Sequence, residues 1–232
     1  MTVPVAPRTA VDLVDLSHVL EPGIPLGGPL PEVEVRPLWR LGEAIANISF
    51  CSFATHSGTH LDAPVHFIEG GRRLAEIDLE WLCGPASVVH VPRGEHGSVD
   101  AVDLDRAGAH VRAGDRVLLR TGFSDRYADP SYHRHPYLTE AAARWLVDRG
   151  VRLVAVDLLT PEQPRTLRID EGFGFPVHHV LLGGEVLIVE NARLPADLPA
   201  RLDLMVLPLP ISAGDGAPVR MVGRLPGSET AS

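Results

Sequence analysis

Apolar positions along this chain fall into short runs punctuated by Gly, Pro and Asp, a pattern that predicts strands more often than helices. Runs at residues 11–16, 47–55, 86–91, 116–120, 153–157, 186–189 and 204–209 read as strands; Asp157 closes the fifth and Glu190 follows the sixth. Residues 140–149 form the best helical pattern. Thr139 can cap it, Glu140 suits its positive end, and Gly150 sits where a left-handed terminator belongs. Shorter helical turns are expected at 78–82, 103–108 and 177–182, the last carrying His178. Residues 20–31 and 158–176 are Pro/Gly-rich and should be long loops. Strands alternating with short helices and long loops imply a mixed α/β architecture. With 232 residues and 45% hydrophobic content the chain can bury a full core, and one domain is expected, with flexible tails at 1–10 and 225–232.

Charge narrows the partners. A formal net charge of −9 argues against nucleic acid and against anionic membrane surfaces, which leaves a small-molecule substrate as the expected partner. All 21 basic residues are Arg. The absence of Lys excludes Schiff-base chemistry, pyridoxal phosphate anchored in the usual way and a Walker-type phosphate loop. Cys51 and Cys83, far apart within apolar surroundings, read as small core residues rather than a disulfide. Residues 1–8 lack an apolar signal core and no stretch approaches the roughly 18 apolar residues of a membrane span, so a cytoplasmic protein is expected.

The candidate chemistry is concentrated between Thr55 and His66. His56, His60, Asp62 and His66 put three imidazoles and a carboxylate within eleven residues, flanked by Gly58 and Pro64. Imidazole and carboxylate ligands suit Zn²⁺, Mn²⁺ or Fe²⁺, and a site with about three protein ligands keeps a position open for water. No cysteine joins the cluster, so a closed thiolate zinc site is not indicated. In a straight strand the gap from His56 to His60 would span about 13 Å, too far for one ion bound at about 2 Å. The backbone therefore has to curl. Gly58 permits the curl and Pro64 opposes a long helix, so the segment reads as a strand running into an irregular metal-gripping loop. A buried polar cluster satisfied by hydrogen bonds is the plain alternative.

His56-x-Gly58-Thr59-His60-x-Asp62-x-Pro64-x-His66 resembles the signature of the cyclase family of metal-dependent hydrolases, which includes bacterial kynurenine formamidases and isatin hydrolases. Arg120-Thr121-Gly122-Phe123-Ser124 is similar to a segment that follows a central strand there, and His178 through Glu190-Asn191 resembles the family's late His with Glu twelve positions on. The resemblance covers most of residues 12–210. It implies a swivelling β/β/α domain whose sheet curves into a partial barrel. It also implies His56, His60 and Asp62 as a first metal set, completed by His178 and Glu190 into a binuclear site with Asp62 able to bridge, although some relatives use one ion. Zn²⁺ is the first choice of metal and Mn²⁺ the second. His66 would be the acid/base, with a prop for Asp62 as its alternative role, and backbone N–H groups near Gly58 and Thr59 would steady an oxyanion. The implied activity is hydrolysis of an amide of a small aromatic or cyclic substrate, with N-formylkynurenine of tryptophan catabolism as the reference. Isatin- or lactone-type ring opening, a cyclase role in secondary metabolism, and a non-catalytic metal-binding protein are the alternatives. A homodimer or homotetramer is implied too.

One departure concerns substrate. The early loop at 20–31 helps wall the pocket in family formamidases and tends to carry an aromatic residue; here it has none. Other histidines are weaker candidates. His133 and His135 form a rival pair without a carboxylate and read as a solvated loop or lid. His179 would point about 100° away from His178 on a helix and is read as structural. His18, His90, His96 and His110 stand singly. Asp125, Arg126 and Tyr127 read as an exposed loop. No Gly-x-Ser-x-Gly elbow supports a serine hydrolase.

Overall fold

Apolar runs that do not alternate belong to strands covered on both faces, and the fold is arranged to supply both covers. The computed structural model describes residues 12–169 and 172–226. Its strands are β1 (Leu13–Asp15), β2 (Glu34–Trp39), β3 (Ile48–Ser52), β4 (His60–Asp62), β5 (Cys83–His90), β6 (Ser98–Val99), β7 (Arg116–Arg120), β8 (Tyr137–Leu138), β9 (Leu153–Val156), β10 (Leu187–Glu190), β11 (Arg201–Pro208) and β12 (Gly216–Arg224). The helices are α1 (Leu79–Leu82), α2 (Ala101–Ala107), α3 (Glu140–Asp148) and α4 (Pro176–Gly183). Seven strands run in the order β12-β11-β5-β7-β9-β10-β4, and β4 pairs with both β10 and β12, which closes the sheet on itself. The pairs β5–β7, β7–β9 and β9–β10 are parallel; those of β11, β12 and β4 are antiparallel. This is the expected mixed, barrel-like sheet with short flanking helices.

Successive side chains along each barrel strand go to different cores. Leu118, Leu153, Ala155, Leu187 and Val189 fill the barrel interior with Leu61, Leu204, Val206 and Met221. Their neighbours Val117, Leu119, Val154, Val156 and Ile188 face outward and pack with Leu104 of α2, Ala142 and Leu146 of α3, and Leu181 of α4. Both faces are apolar, so strands β7, β9 and β10 read as continuous runs. The same alternation positions the candidate site. Glu190 follows Val189 and shares the outer face with Ile188, the side on which α4 lies. On β4, Leu61 enters the barrel, so His60 and Asp62 turn outward.

Several expectations change. The strand expected at 47–55 is shorter and belongs to a β2–β3 hairpin standing off the barrel, every strand residue of which is exposed. Cys51 on that hairpin is therefore exposed and not a core residue; Cys83 is half-buried, and both are free. The metal-gripping segment is not wholly irregular, because His60–Asp62 is a buried strand. Besides the two-residue strands β6 and β8, the longer strands β2 and β12 escaped the pattern. β2 carries Pro37 at an irregular register, and β12 begins Gly216-Ala217-Pro218, a start that hides a strand because Pro there lacks a ladder donor. His135 is buried with its Nδ1 against the Pro136 carbonyl, not solvated. Helix α3 is capped as expected: Thr139 Oγ1 accepts from Ala142 N, and Gly150 takes φ 67° just beyond the end. Residues 1–10 of the expected tails, and 227–232, lie outside the described residues, as does Val11 of the first strand; Leu225 N donates to Asp12 O.

Asp157 explains the Thr121-Gly122-Phe123 segment. Its buried carboxylate accepts four hydrogen bonds, from Thr121 N and Oγ1 and from Gly122 N and Phe123 N, at 2.8–3.0 Å. Gly122 takes φ 89°, which lets consecutive N–H groups turn toward one anion. The carboxylate thus ties the end of β7 to the end of β9. Asp157→Asn leaves amide hydrogens facing at least one of those donors and should cost about 2 kcal/mol. A lowered urea midpoint with an unchanged m-value would verify this; an unchanged midpoint would remove Asp157 from this role.

Candidate metal centre

The site sits where β4 closes the barrel. In the β4–β10 ladder His60 lies opposite Glu190, and Asp62 lies opposite Ile188. The ladder therefore sets a carboxylate beside an imidazole before any side-chain rotamer is chosen. Upstream, Gly58 at φ 63° turns the chain back, so His56 returns to within 5.1 Å of the His60 ring and its Nδ1 lies 2.8 Å from Asp62 Oδ1. From the far end of the chain, α4 brings His178 over the same face. Its Nε2 is 3.3 Å from Glu190 Oε1 and 3.7 Å from Asp62 Oδ2.

All five residues proposed as ligands from sequence thus meet. Asp62 and Glu190 each turn one oxygen toward one imidazole group and the other toward His178. Asp62 Oδ1 faces His56 and His60, at 2.8 and 3.4 Å, while Glu190 Oε2 is 3.3 Å from His60 Nε2. Two ligands each about 2.0 Å from a tetrahedral ion stand about 3.3 Å apart, so the edges of this polyhedron have the right length for a divalent cation.

The hydrogen bonding fits a metal better than a self-sufficient polar cluster. His60 Nδ1 donates to Gly58 O at 2.8 Å, which makes Nε2 the free nitrogen. That Nε2 and Asp62 Oδ2 are both buried without a hydrogen-bond partner, and the buried His56 Nε2 has only Asp215 Oδ2 near it, at 3.2 Å. Orphaned atoms sharing one locus would be costly unless a cation takes their lone pairs. Electrostatics agree. Burial opposes charge on His60, yet Asp62 and Glu190 overcome it and raise its pKa to about 10. For His178 the same contest, with Glu162 and Glu190 opposing burial, ends at about 9. Burial and Asp62 push Glu190 up, and His178 and His60 outweigh both to hold it at about 2. Two buried anions demand positive charge here, and protons on imidazole supply it when no metal does.

Other predicted residues fall as follows. His66 ends the 3-10 turn Pro64–His66, half-buried, stacked on His56 at 3.9 Å and with Nδ1 3.8 Å from Asp215 Oδ2. Burial lowers its pKa chiefly, which favours neutral imidazole. It is close enough to His56 and Asp62 for the three to form a ligand group, as His60, Asp62 and Glu190 do. Gly58 and Thr59 do not line the cavity. Gly58 O accepts from Asn191 Nδ2 as well as His60, and Thr59 Oγ1 donates to Asn191 O, so both hold the turn against β10. His179 meets Phe67 edge-on, away from the ligand atoms of His178.

Two acids were missed. Glu162 is buried, and its Oε1 accepts from His178 N at 2.8 Å and lies 3.0 Å from His178 Nδ1, an arrangement that leaves Nε2 free for the site. It lies in a Pro-rich loop where nothing in the pattern distinguishes it from a solvent carboxylate. Asp215 reaches His56 Nε2 at 3.2 Å from the residue preceding β12, the strand the pattern concealed. Above this floor opens a cavity of about 230 Å³, walled by Leu30, Phe67, Leu159, Arg168 and Phe175, with Gly27 and Gly28 of the early loop.

This fold and this mixed imidazole–carboxylate cluster are those of a metal-dependent hydrolase. Residues 14–163 match the model of the Cyclase family, described as "Putative cyclase". The kynurenine formamidase of Geobacillus thermodenitrificans is 31% identical over 210 residues, covering 89% of this chain and 94% of that relative. That of Erythrobacter litoralis is 31% identical over 213 residues, covering 90% and 92%. A solved structure titled a potential metal-dependent hydrolase with cyclase activity is 29% identical, with a TM-score of 0.76 over 94% of this chain and all of that one. Isatin hydrolase A from Labrenzia aggregata shares the fold, with a TM-score of 0.81 at 23% identity over 93% of this chain and 94% of its own. The chain belongs to the cyclase family of metal-dependent hydrolases. No helix among the described residues is long and apolar enough to cross a membrane.

If Glu162 orients His178, Glu162→Ala should weaken metal binding about 10- to 100-fold, and Glu162→Gln, which keeps an acceptor, should retain most of the affinity. Competition against a chromophoric chelator measures both. Equal affinities for wild type and Glu162→Ala would show that His178 needs no such support.

Proposed function

We propose that this protein hydrolyses a carbon–nitrogen bond other than a peptide bond, an amide of a small aromatic or cyclic substrate, in the manner of an arylformamidase. The observation that carries the reading is the pair of buried carboxylates, Asp62 and Glu190, set between imidazoles at the floor of a pocket walled by Phe67 and Phe175. His56, His60 and Asp62 would hold one divalent ion, and His178 and Glu190, with Asp62 shared, a second. The split orientation of both carboxylates supports two ions over one. Zinc is the first candidate and manganese the next, since this ligand set accepts either. A divalent ion bound there supplies a Lewis acid and a hydrolytic nucleophile at neutral pH.

The chain's own residues supply the rest. Phe67, Phe175, Leu159 and Leu30 offer an aromatic ring an apolar slot and keep bulk water from it. His66, at the rim of the cluster, takes the proton released when water attacks the carbonyl and passes it to the departing nitrogen, so that the amine leaves neutral. His56, stacked under it, and Asp215 beside it fix the ring's attitude. N-formylkynurenine is the reference substrate, which would place the protein in tryptophan catabolism. A second reading, opening of an isatin- or lactone-type ring, is favoured by the early loop. That loop presents Gly27, Gly28 and Leu30 to the cavity, with nothing within 4 Å of a Cβ built at either glycine, and leaves room for a fused ring.

The assembly is proposed to be a homodimer or homotetramer in the cytoplasm. The β2–β3 hairpin supports a second copy as partner: it exposes Val35, Leu38, Trp39, Ile48 and Phe50, more apolar surface than two short strands keep in water. Exposed, free Cys51 is at home in a reducing compartment.

His66→Ala should lower turnover of N-formylkynurenine at least about 100-fold while bound metal is retained. Formate release and metal analysis on the same sample check it; unchanged turnover would assign the proton transfer elsewhere. Removing metal with a chelator should abolish formate release and adding back zinc or manganese should restore it. Full activity in the stripped protein would end the hydrolytic reading, and isatin or a simple lactone turning over faster than the formamide would favour the second.

A further inference from the structure

The pocket carries one cation that the hydrolytic chemistry leaves without work. Arg168 follows the 3-10 turn Arg165–Leu167, and its half-buried side chain forms part of the cavity wall along with Phe67, Phe175 and His178. Two contacts hold it in place. Nε donates to Gln163 O at 2.7 Å, and the guanidinium lies over the rings of Phe173 and Phe175, 4.3 and 4.8 Å from their centroids. Neither contact uses the terminal Nη atoms, which have no hydrogen-bond acceptor among the described residues, and no described carboxylate pairs with this arginine. Glu162 and Glu190, whose charges reach it through space, are both engaged by His178. A guanidinium stacked on aromatic rings with its outward fork unused is arranged to receive a planar oxyanion, and the two parallel N–H groups make a carboxylate the best match.

We propose that Arg168 determines specificity by docking a carboxylate on the substrate, away from the bond to be cleaved. The inference rests on the amide-hydrolase reading of the same pocket and narrows its substrate class to aryl amides that carry an anionic group. Ring and charge are then read separately: Phe67 and Phe175 take the aromatic part, Arg168 takes the carboxylate, and the scissile amide falls to the imidazole–carboxylate floor. A cation holding only its own loop together would show no dependence on the ligand's charge.

Binding to the metal-loaded protein tests this without requiring turnover. β-Benzoylpropionate should bind at least roughly tenfold more tightly than its neutral primary amide. Arg168→Gln should bring the two within about twofold, and Arg168→Lys, which keeps charge but loses the fork, should keep part of the preference. In steady state Arg168→Gln should raise KM for N-formylkynurenine roughly tenfold, with a much smaller effect on its kcat and on the KM of its methyl ester. Wild-type protein without an anion preference, or Arg168→Gln that keeps it, overturns the proposal. An intact, Arg168-dependent preference in a protein that hydrolyses no formamide would overturn the amide-hydrolase reading instead and leave the assignment of Arg168 standing.

Discussion

Asp62 and Glu190 are two carboxylates buried within reach of the same imidazoles, and the fold must answer for their charge. Asp62 is closed off from bulk water and Glu190 meets it only at the pocket floor, so each needs positive partners in a medium that magnifies any imbalance. Three imidazoles arrive by three routes: His56 through the Gly58 turn, His60 by strand register opposite Glu190, and His178 on a helix from the other end of the chain. His56 and His60 are neighbours in sequence, but the placement of His178 is local to neither. Closure of the barrel by β4 is what lets them meet, because that strand pairs with β10 on one edge and β12 on the other.

The barrel and the site are thus one construction. Side-chain alternation sends Leu61, Leu187 and Val189 into the barrel and leaves His60, Asp62 and Glu190 on the outer face, covered by α4. A register slip of one residue in β4 would bury His60 and Asp62 in the apolar interior and turn Leu61 toward the pocket. Packing inside the barrel therefore protects the chemistry outside it. Supporting contacts extend the construction: Asn191, in a left-handed conformation just past β10, donates to Gly58 O and accepts from Tyr132, so the His56 turn is tied to the strand that carries Glu190.

Much of this was legible in the sequence. Residue types and spacing between His56 and His66 required a curl and pointed to a cation, and α3 with its Thr139 cap followed from local rules. The late pair His178 and Glu190 was legible only through family resemblance, since no local pattern says that a helix near residue 178 lies over a strand near residue 60. Glu162 and Asp215 stayed hidden for the same reason, their roles being set by what the fold brings to them. Cys51 was misplaced because an apolar run normally means burial, and the β2–β3 hairpin instead carries its apolar side chains to the surface. β12 was hidden by Pro218, which a barrel seam tolerates and a strand pattern does not.

Anomalous diffraction at the zinc and manganese edges, from crystals of protein purified without added metal, tests the central claim most directly. Peaks lying between Asp62 and Glu190, within about 2.0–2.2 Å of the nitrogens of His60 and His178, are the expected result. Metal bound elsewhere, for instance at His133, with this cluster closed by its own hydrogen bonds, would contradict it.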